Sequence, residues 1–120
     1  MKTINGMRFF NGTPHPIRFQ DRNGVEVVVE PDEVINARPV EMQVKGWTDE
    51  IEFVRPEFEA TDEGWNVIYQ ACEQGAQIIL GSIIAAQAYP GEIVGIIQIE
   101  GQGRCAPAER IYRSDKFSMF

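Results

Sequence analysis

The sequence predicts an α+β fold in a single domain that spans residues 1–120. Residues 7–60 read as a β-rich half, in which segments such as PIRFQD and IEFVR alternate apolar and polar residues with the period of a β-strand. The apolar spacing then changes to that of a helix near residue 62, and short strand-like segments follow. We therefore expect an N-terminal antiparallel β-rich half, one main helix at about 62–74, a short helix at about 82–89, and C-terminal strands.

The N-terminal strands are predicted from alternation and from turn residues. MRFFN is a short strand candidate, and PIRFQD alternates Ile17 and Phe19 with polar residues. The Asn23–Gly24 pair favours a tight hairpin turn into the β-branched run VEVVVE. VINARPVEMQV and IEFVR read as two further extended stretches around a turn at 46–49, and Pro39 marks an edge or a bulge. Phe53 is expected inside a strand, like Phe9 and Phe19.

The main helix is predicted from its caps and its apolar spacing. Thr61 or Asp62 can cap it, and Gly75 is suited to end it. An apolar stripe at i, i+3, i+4 and i+7 predicts its buried face, which is made of Trp65, Ile68, Tyr69 and Cys72.

The remaining elements follow in order. AQIILG is an apolar strand, Ser82 can cap the short helix IIAAQAY, and Pro90–Gly91 ends that helix. EIVGIIQIEG is a strand, GQGRCAPAE is a loop, and RIYRSDKFSMF is a final strand or an extended arm.

The charge is unevenly distributed along the chain. Its net charge is −7, yet residues 101–120 carry about +2, because Arg104, Arg110, Arg113 and Lys116 face only Glu109 and Asp115. An acidic chain lacks the broad basic face that long nucleic acids require. One local basic pocket is still sufficient for a small anionic ligand. The alternative is that the tail is a solvated strand or a frayed end.

The cysteines and the N-terminus indicate a reducing cytoplasm. Cys72 and Cys105 form no CxxC motif, so both thiols are expected to be free. MKTINGMRFF has no long apolar region of the kind found in signal peptides. No apolar stretch reaches transmembrane length, so we expect no membrane association.

Residues that carry chemistry are few, and each has two interpretations. His15 is the one histidine, and it lies in NGTPHP, which is either a rigid turn or a segment that presents Asn11 and His15 to a ligand. A single histidine without a cysteine or carboxylate cluster argues against a metal site. Ser82 either only caps its helix or also contacts an anion at the helix N-terminus.

The aromatic residues near turns and in the tail are also open to two interpretations. Tyr89, Tyr112, Phe117 and Phe120 either stack on a base or bury a contact between subunits.

Three segments together carry a resemblance to a known family. NGTPHPI, GSIIAAQAYPG and YRSDKFSMF resemble the phage Thoeris anti-defence proteins of the first described family. Those proteins are small sponges that sequester the cyclic ADP-ribose signal made by bacterial TIR enzymes. The resemblance covers the chain roughly from end to end and is strongest at residues 11–17, 81–91 and 110–120.

The resemblance implies a binding protein and not an enzyme. It implies that glycocyclic ADP-ribose is bound without cleavage in the host bacterial cytoplasm, with no cofactor and no metal. It also implies homodimers or hexamers, and a separate site for a cyclic trinucleotide in some members. On this resemblance, the pyrophosphate is expected to lie against Arg110, Arg113 and Lys116. Ser82 is expected to contact the ligand at a helix N-terminus, and Asn11 to bond a base edge or a ribose hydroxyl. Phe117 and Tyr89 are the residues expected to stack on a base.

Two other functions remain open at this point. One is a small enzyme that acts on a cyclic nucleotide or an ADP-ribose derivative, with His15 as its general acid or base. The other is a phage structural protein or an inhibitor of a host protein, with the acidic surface as its contact and the tail as an assembly arm.

Overall fold

The computed structural model describes residues 1–48, 50–102, 106 and 109–120. It confirms the predicted α+β class. The elements in chain order are β1 (Lys2–Ile4), β2 (Met7–Asn11), β3 (Ile17–Gln20), β4 (Glu26–Val29), β5 (Arg38–Thr48), β6 (Ile51–Glu59), α1 (Asp62–Glu73), β7 (Ile78–Leu80), α2 (Ile83–Ala88), β8 (Gly95–Gln98) and β9 (Ile111–Ser118).

The first sheet has the order β1-β2-β7. β1 and β2 are antiparallel and are joined by Asn5 and Gly6, which both have positive φ values, 52° and 78°. Such a pair is typical of a two-residue hairpin turn, because asparagine and glycine tolerate the left-handed region best. β7 then adds in parallel to β2, with Phe9 beside Ile78.

The second sheet has the order β4-β3-β9-β8. β3 and β4 form the predicted hairpin, whose turn is held by the Asp21 carboxylate as it accepts from the backbone N–H groups of Asn23 and Val25, both at 2.9 Å. β9 lies between β3, to which it is parallel, and β8, to which it is antiparallel. The C-terminal segment is therefore an internal strand and not a frayed end.

α1 begins and ends as predicted. The Thr61 hydroxyl accepts a hydrogen bond from the Gly64 N–H at 3.0 Å, and Gly75 follows the helix with a φ of 89°. The N-cap satisfies one of the backbone donors that the first turn leaves free.

Of the four residues predicted to form the buried face of α1, Ile68 is buried, but the rest of the buried stripe lies about one position away. Tyr69 is 60% exposed, Cys72 is exposed and Trp65 is half-buried. Small side chains allow the helix to approach the core closely, and the buried residues are Gly64, Val67, Ile68 and Ala71. Cys72 is a free thiol, as expected, whereas Cys105 lies outside the described residues.

The core forms two clusters on either side of the first sheet. One cluster packs both helices against Phe10, Ile35 and Ile79. The other lies between the two sheets, where Phe9 meets the ring of Phe19 edge to face at 5.2 Å between centroids. Both phenylalanines are interior strand residues, as the alternation predicts.

β5 and β6 form a long two-stranded antiparallel hairpin, which we call the ribbon (residues Arg38–Glu59). Within the described residues these strands pair only with each other, so Pro39 lies in an edge strand as predicted. Phe53 lies within β6, as predicted, but unlike Phe9 and Phe19 it is 43% exposed.

Two predicted segments extend beyond what the structure describes. The predicted turn at 46–49 does not begin where it was expected, because β5 continues to Thr48. Asp49 lies outside the described residues. The predicted loop at 101–109 falls partly outside them too, as does Arg104. Over the described part of the chain, α1 and α2 are both too short to span a bilayer.

Candidate functional site

Asn11 is a structural residue at the end of β2. It is 0% exposed, and its Nδ2 donates to the carbonyl oxygens of His15 at 2.8 Å and Val29 at 2.9 Å. Its Oδ1 accepts from the backbone N–H of Thr13 at 2.9 Å and from the Thr13 hydroxyl at 2.7 Å. Each donor and acceptor of the amide is used. These bonds support the rigid-turn interpretation of NGTPHP and leave Asn11 no free group for a ligand in this structure, so its contact with a ligand stays a prediction.

Ser82 and Tyr89 also have structural roles. The Ser82 hydroxyl accepts from the Ala85 N–H at 3.1 Å and caps α2, which has only 6 residues. Tyr89 is 0% exposed; its hydroxyl donates to the Asn36 carbonyl at 2.8 Å and accepts from the Thr61 N–H at 3.0 Å. A ring buried in this way presents no free face in this structure, and stacking of Tyr89 on a base stays a prediction.

Phe117 belongs to the core between the sheets. Its ring meets Phe9 edge to face at 5.7 Å between centroids and lies tilted against Phe19 at 6.5 Å. The side chain is half-buried, and its contacts are with other core rings. Phe117 therefore packs against core rings, and its stacking on a ligand stays a prediction.

His15 lines a separate cavity of about 560 Å³. The walls of this cavity are mainly apolar and include Ile17, Val28 and Ile96, with Tyr112 also present. Within the described residues no hydrogen bond reaches the imidazole, which is exposed. A histidine that acts as a general base is normally held by a second group.

The tail cations are separated by the strand that carries them. Arg110 precedes β9 and is half-buried, Lys116 is exposed, and Arg113 faces a polar groove. This groove, which we call the arginine groove, has a volume of about 360 Å³. Its polar lining includes Asn5, Gln20, Arg22, Glu100, Arg113 and Ser114.

Hydrogen bonds between distant segments shape the arginine groove. Asn5, in its left-handed turn, donates from Nδ2 to the Ser114 hydroxyl at 3.0 Å and accepts from the Arg22 N–H at 3.0 Å. The Ser114 hydroxyl in turn donates to the Gln20 carbonyl at 2.6 Å. The β1–β2 turn, the end of β3 and the middle of β9 are thereby tied together, so the backbone around both arginines is fixed.

Asp115 holds the guanidinium group of Arg113 in the groove. Nε of Arg113 donates to Oδ1 at 2.9 Å and a terminal nitrogen donates to Oδ2 at 3.1 Å. This hydrogen-bonded pair raises the pKa of Arg113 and lowers the pKa of Asp115 below its ordinary value. The edge of the guanidinium formed by Nε and one terminal nitrogen is therefore occupied by Asp115.

The groove carries charges of both signs. Arg22 and Arg113 contribute two positive groups, while Asp21, Glu100 and Asp115 contribute three carboxylates. Among the described ion pairs Arg22 has no carboxylate partner, whereas Arg113 has Asp115. Such a groove can bind a phosphate through two guanidinium groups if the phosphate replaces Asp115 at Arg113.

Of the seven residues predicted to contact a ligand, the structure places only Arg113 in the groove. Arg22, Asn5 and Ser114 were not anticipated, although Asn5–Gly6 and Arg22–Asn23–Gly24 are both turn sequences that bring side chains to strand ends. In the part of the chain that the structure describes, no group of histidines, cysteines and carboxylates is arranged to hold a metal ion.

Comparison of the chain with protein-family models, with curated proteins and with solved structures finds no match. The function is therefore argued from the residues and from the geometry of the arginine groove.

Proposed function

We propose that this protein binds a small phosphorylated nucleotide in the arginine groove and holds it without cleaving it. The observation that carries the proposal is the convergence of Arg22 and Arg113 on one groove in a chain whose net charge is −7. In so acidic a chain, an arginine from the β3–β4 turn and an arginine from β9 that line one groove favour a local anion site.

A phosphate fits the donors that the groove offers. Each guanidinium presents N–H groups in a planar fork that matches two phosphate oxygens. The more distant carboxylates of the chain oppose binding only weakly, because salt screens charges beyond about 8 Å at physiological ionic strength. The Asn5 amide and the Ser114 hydroxyl, which bond to each other at 3.0 Å, supply neutral groups for a ribose or a base edge.

Sequestration is favoured over turnover by the chemistry of the lining. The described residues that line the groove include neither a histidine nor a cysteine, and the Ser114 hydroxyl already donates to a backbone carbonyl. This set holds no activated nucleophile, and its candidate proton acceptors are the carboxylates of Asp21, Glu100 and Asp115, of which Asp115 is engaged by Arg113.

The family that the sequence resembles supplies the finer terms of the proposal. The ligand is glycocyclic ADP-ribose, and its capture blocks a Thoeris-type immune signal in the cytoplasm of an infected bacterium. The protein acts as a homodimer or a hexamer. In the arginine groove, the pyrophosphate lies at Arg22 and Arg113. The other tail cations contribute only to the electrostatic potential around the groove.

Calorimetric titration with glycocyclic ADP-ribose tests the site. We expect Arg22→Ala and Arg113→Ala each to weaken binding by about tenfold, since a hydrogen bond to a charged group contributes about 1.5–3 kcal/mol and the groove is open to water. Arg8→Ala is the matched control, because Arg8 is exposed, lies outside the groove lining and its loss changes the net charge equally. Wild-type affinity in both groove variants would refute the site.

Recovery of the ligand tests sequestration. After heat denaturation of the complex, mass spectrometry should find the nucleotide intact. A cleaved product in its place would instead support the enzyme interpretation.

Asp115→Asn is expected to strengthen ligand binding, whereas the two arginine substitutions are expected to weaken it. Asp115 is ionised at neutral pH, and its pKa is lowered below the ordinary value mainly by the hydrogen bond from Arg113. The stabilisation from this pair is present at neutral pH and is lost as the pH falls through the folded-state pKa of Asp115. Removing the carboxylate charge frees Arg113, so we expect several-fold tighter binding of a phosphorylated ligand. Weaker binding would mean that Asp115 orients Arg113 more than it competes with the ligand.

A further inference from the structure

Three asparagines near the N-terminus are each followed directly by glycine, in the pairs 5–6, 11–12 and 23–24. Such a pair is prone to lose the side-chain amide in water, because glycine has no side chain to hinder attack by its own backbone nitrogen. The sequence therefore contains three candidate sites for the same chemical modification. Their surroundings in the fold differ, and the differences separate one site from the other two.

Asn11 is protected by its burial and by its hydrogen bonds. Four hydrogen bonds hold its amide, two donated by Nδ2 and two accepted by Oδ1. The residue is 0% exposed, and the backbone N–H of Gly12 donates to the Leu80 carbonyl at 2.9 Å. Neither the amide nor the attacking nitrogen is free to move, so we expect Asn11 to keep its amide in the folded protein.

Asn5 is protected by contacts with distant segments, although it lies in a turn. Its Nδ2 donates to the Ser114 hydroxyl at 3.0 Å, and its Oδ1 accepts from the Arg22 N–H at 3.0 Å. Rotation of this amide toward Gly6 breaks the bonds that join the β1–β2 turn to β9 and to the β3–β4 turn. We therefore expect loss of the Asn5 amide to be slow as well.

Asn23 has no comparable restraint. It is exposed at the tip of the β3–β4 hairpin, and among the described residues its side-chain amide has no hydrogen-bond partner. The backbone N–H of Gly24, which has to be released for the attack, donates to the Asp21 carbonyl at 3.0 Å. A single backbone bond at an exposed hairpin tip opens readily, so the nitrogen of Gly24 can reach the amide carbon of Asn23.

From these differences we infer that Asn23 is a site of spontaneous deamidation, at which water converts the side-chain amide to a carboxylate. The Gly24 nitrogen bonds to Cγ of Asn23, and its proton passes through water to the side-chain nitrogen. The bond between Cγ and that nitrogen breaks, and ammonia leaves. Water then opens the cyclic imide at either carbonyl, which yields aspartate or isoaspartate at residue 23. One water is consumed and one ammonia is released.

The new carboxylate lies next in the chain to Arg22, which lines the arginine groove. The groove already holds three carboxylates against two guanidinium groups, so a further negative charge beside it opposes an anionic ligand. This consequence rests on the proposed function, whereas the site of deamidation does not. We expect nucleotide affinity to fall by about threefold, the size of the effect of one unit charge several ångströms away in water.

Peptide mapping of the folded protein during long incubation at mildly alkaline pH tests the site. The three pairs fall into separate tryptic peptides, because trypsin cleaves after Lys2, Arg8, Arg18 and Arg22. Mass spectrometry measures the exchange of NH₂ for OH in each peptide, and fragmentation assigns it to a residue. We expect Asn23 to convert at least roughly tenfold faster than the other two asparagines, since its nitrogen partner opens most readily.

The chain unfolded in urea is the control for the sequence itself. The three pairs should convert there at similar rates, because the fold no longer protects any of them. Equal rates for the three pairs in the folded protein would overturn the inference, as would slower conversion at Asn23. Faster conversion at Asn23 in urea as well, by the same factor, would mean that the local sequence and not the fold selects this site, which also contradicts the inference.

Calorimetric titration of Asn23→Asp with glycocyclic ADP-ribose tests the consequence for binding. We expect affinity about threefold weaker than that of wild type. Asn36→Asp is the matched control, because Asn36 is exposed, lies outside the groove lining and receives the same charge change. Unchanged affinity in Asn23→Asp would refute the loss of affinity. A wild type that binds no nucleotide would refute the proposed function and this consequence together, while the deamidation rates are measured without any ligand.

Discussion

Replacing Tyr89 with phenylalanine tests whether this residue is part of the scaffold or part of a ligand site. The ring is 0% exposed and meets Trp65 edge to face at 5.2 Å between centroids. Its hydroxyl joins two backbone groups, the Asn36 carbonyl at 2.8 Å and the Thr61 N–H at 3.0 Å. The substitution removes only the hydroxyl and leaves both backbone groups without this partner.

The expected loss of stability follows from those two bonds. A buried polar group that loses its partner costs about 1–3 kcal/mol. Both bonds are only partly buried, so water replaces some of what is lost and each cost lies at the low end. We expect the free energy of unfolding to fall by about 2 kcal/mol, which lowers the melting temperature by roughly 8 °C in a chain of this size. That is a large fraction of a typical domain stability of about 5–15 kcal/mol.

Urea denaturation and calorimetry measure this change directly. Tyr69→Phe is the matched control, because Tyr69 is 60% exposed and the same atom is removed. We expect the control to differ from wild type by no more than about 0.5 kcal/mol. Nucleotide affinity of folded Tyr89→Phe should equal that of wild type. A variant with wild-type stability and reduced affinity would refute the scaffold role and restore Tyr89 to the ligand site.

Two further substitutions test the packing around the helices and the NGTPHP turn. Gly64→Ala should destabilise the protein by about 1–3 kcal/mol in urea denaturation, because a Cβ at this position overlaps the hydroxyl of Tyr89. This cost is expected although alanine favours helices by about 1 kcal/mol relative to glycine. A gain in stability would contradict the close contact. Asn11→Asp should cost about 3 kcal/mol or more in thermal melting at neutral pH, because an oxygen then faces the carbonyls of His15 and Val29. An Asn11→Asp variant with the wild-type melting temperature would mean that the side-chain hydrogen bonds of Asn11 do not stabilise the turn.

The elements that the sequence predicts well depend on local signals. The Asn23–Gly24 pair, the Thr61 cap and the Gly75 terminator act within a few residues of their own position. The alternation around Phe19 also predicts a strand without knowledge of its neighbours. Local physical chemistry was enough for the α+β class and for both helices.

The elements that it predicts poorly depend on contacts between distant segments. Trp65 and Tyr69 look like the buried stripe of α1, yet Gly64 on the neighbouring stripe is buried because Tyr89 packs against it. Asn11 and Tyr89 look accessible because they lie near turns, but their bonding partners are 18 and 53 residues away in the chain. Local pattern does not reveal such partners.

The arginine groove was missed for the same reason. Its hydrogen bond between Asn5 and Ser114 spans 109 residues, and Arg22 comes from a third segment. The excess of positive charge in the tail indicated Arg113, but Arg22 has no such signal around it. Only the parallel pairing of β3 with β9 brings the two arginines to one groove.

The central position of β9 has a consequence for how the chain folds during its synthesis. β9 separates β3 from β8, so the second sheet stays split until residues 111–118 have been made. Until then β3 has an unpaired edge, and Phe19 lacks the ring of Phe117 beside it. Pairings between such distant segments form slowly, because loop closure precedes the contacts that reward it. A nascent or prematurely terminated chain that lacks β9 therefore exposes a strand edge and aromatic core surface, which are features that promote aggregation and recognition by chaperones.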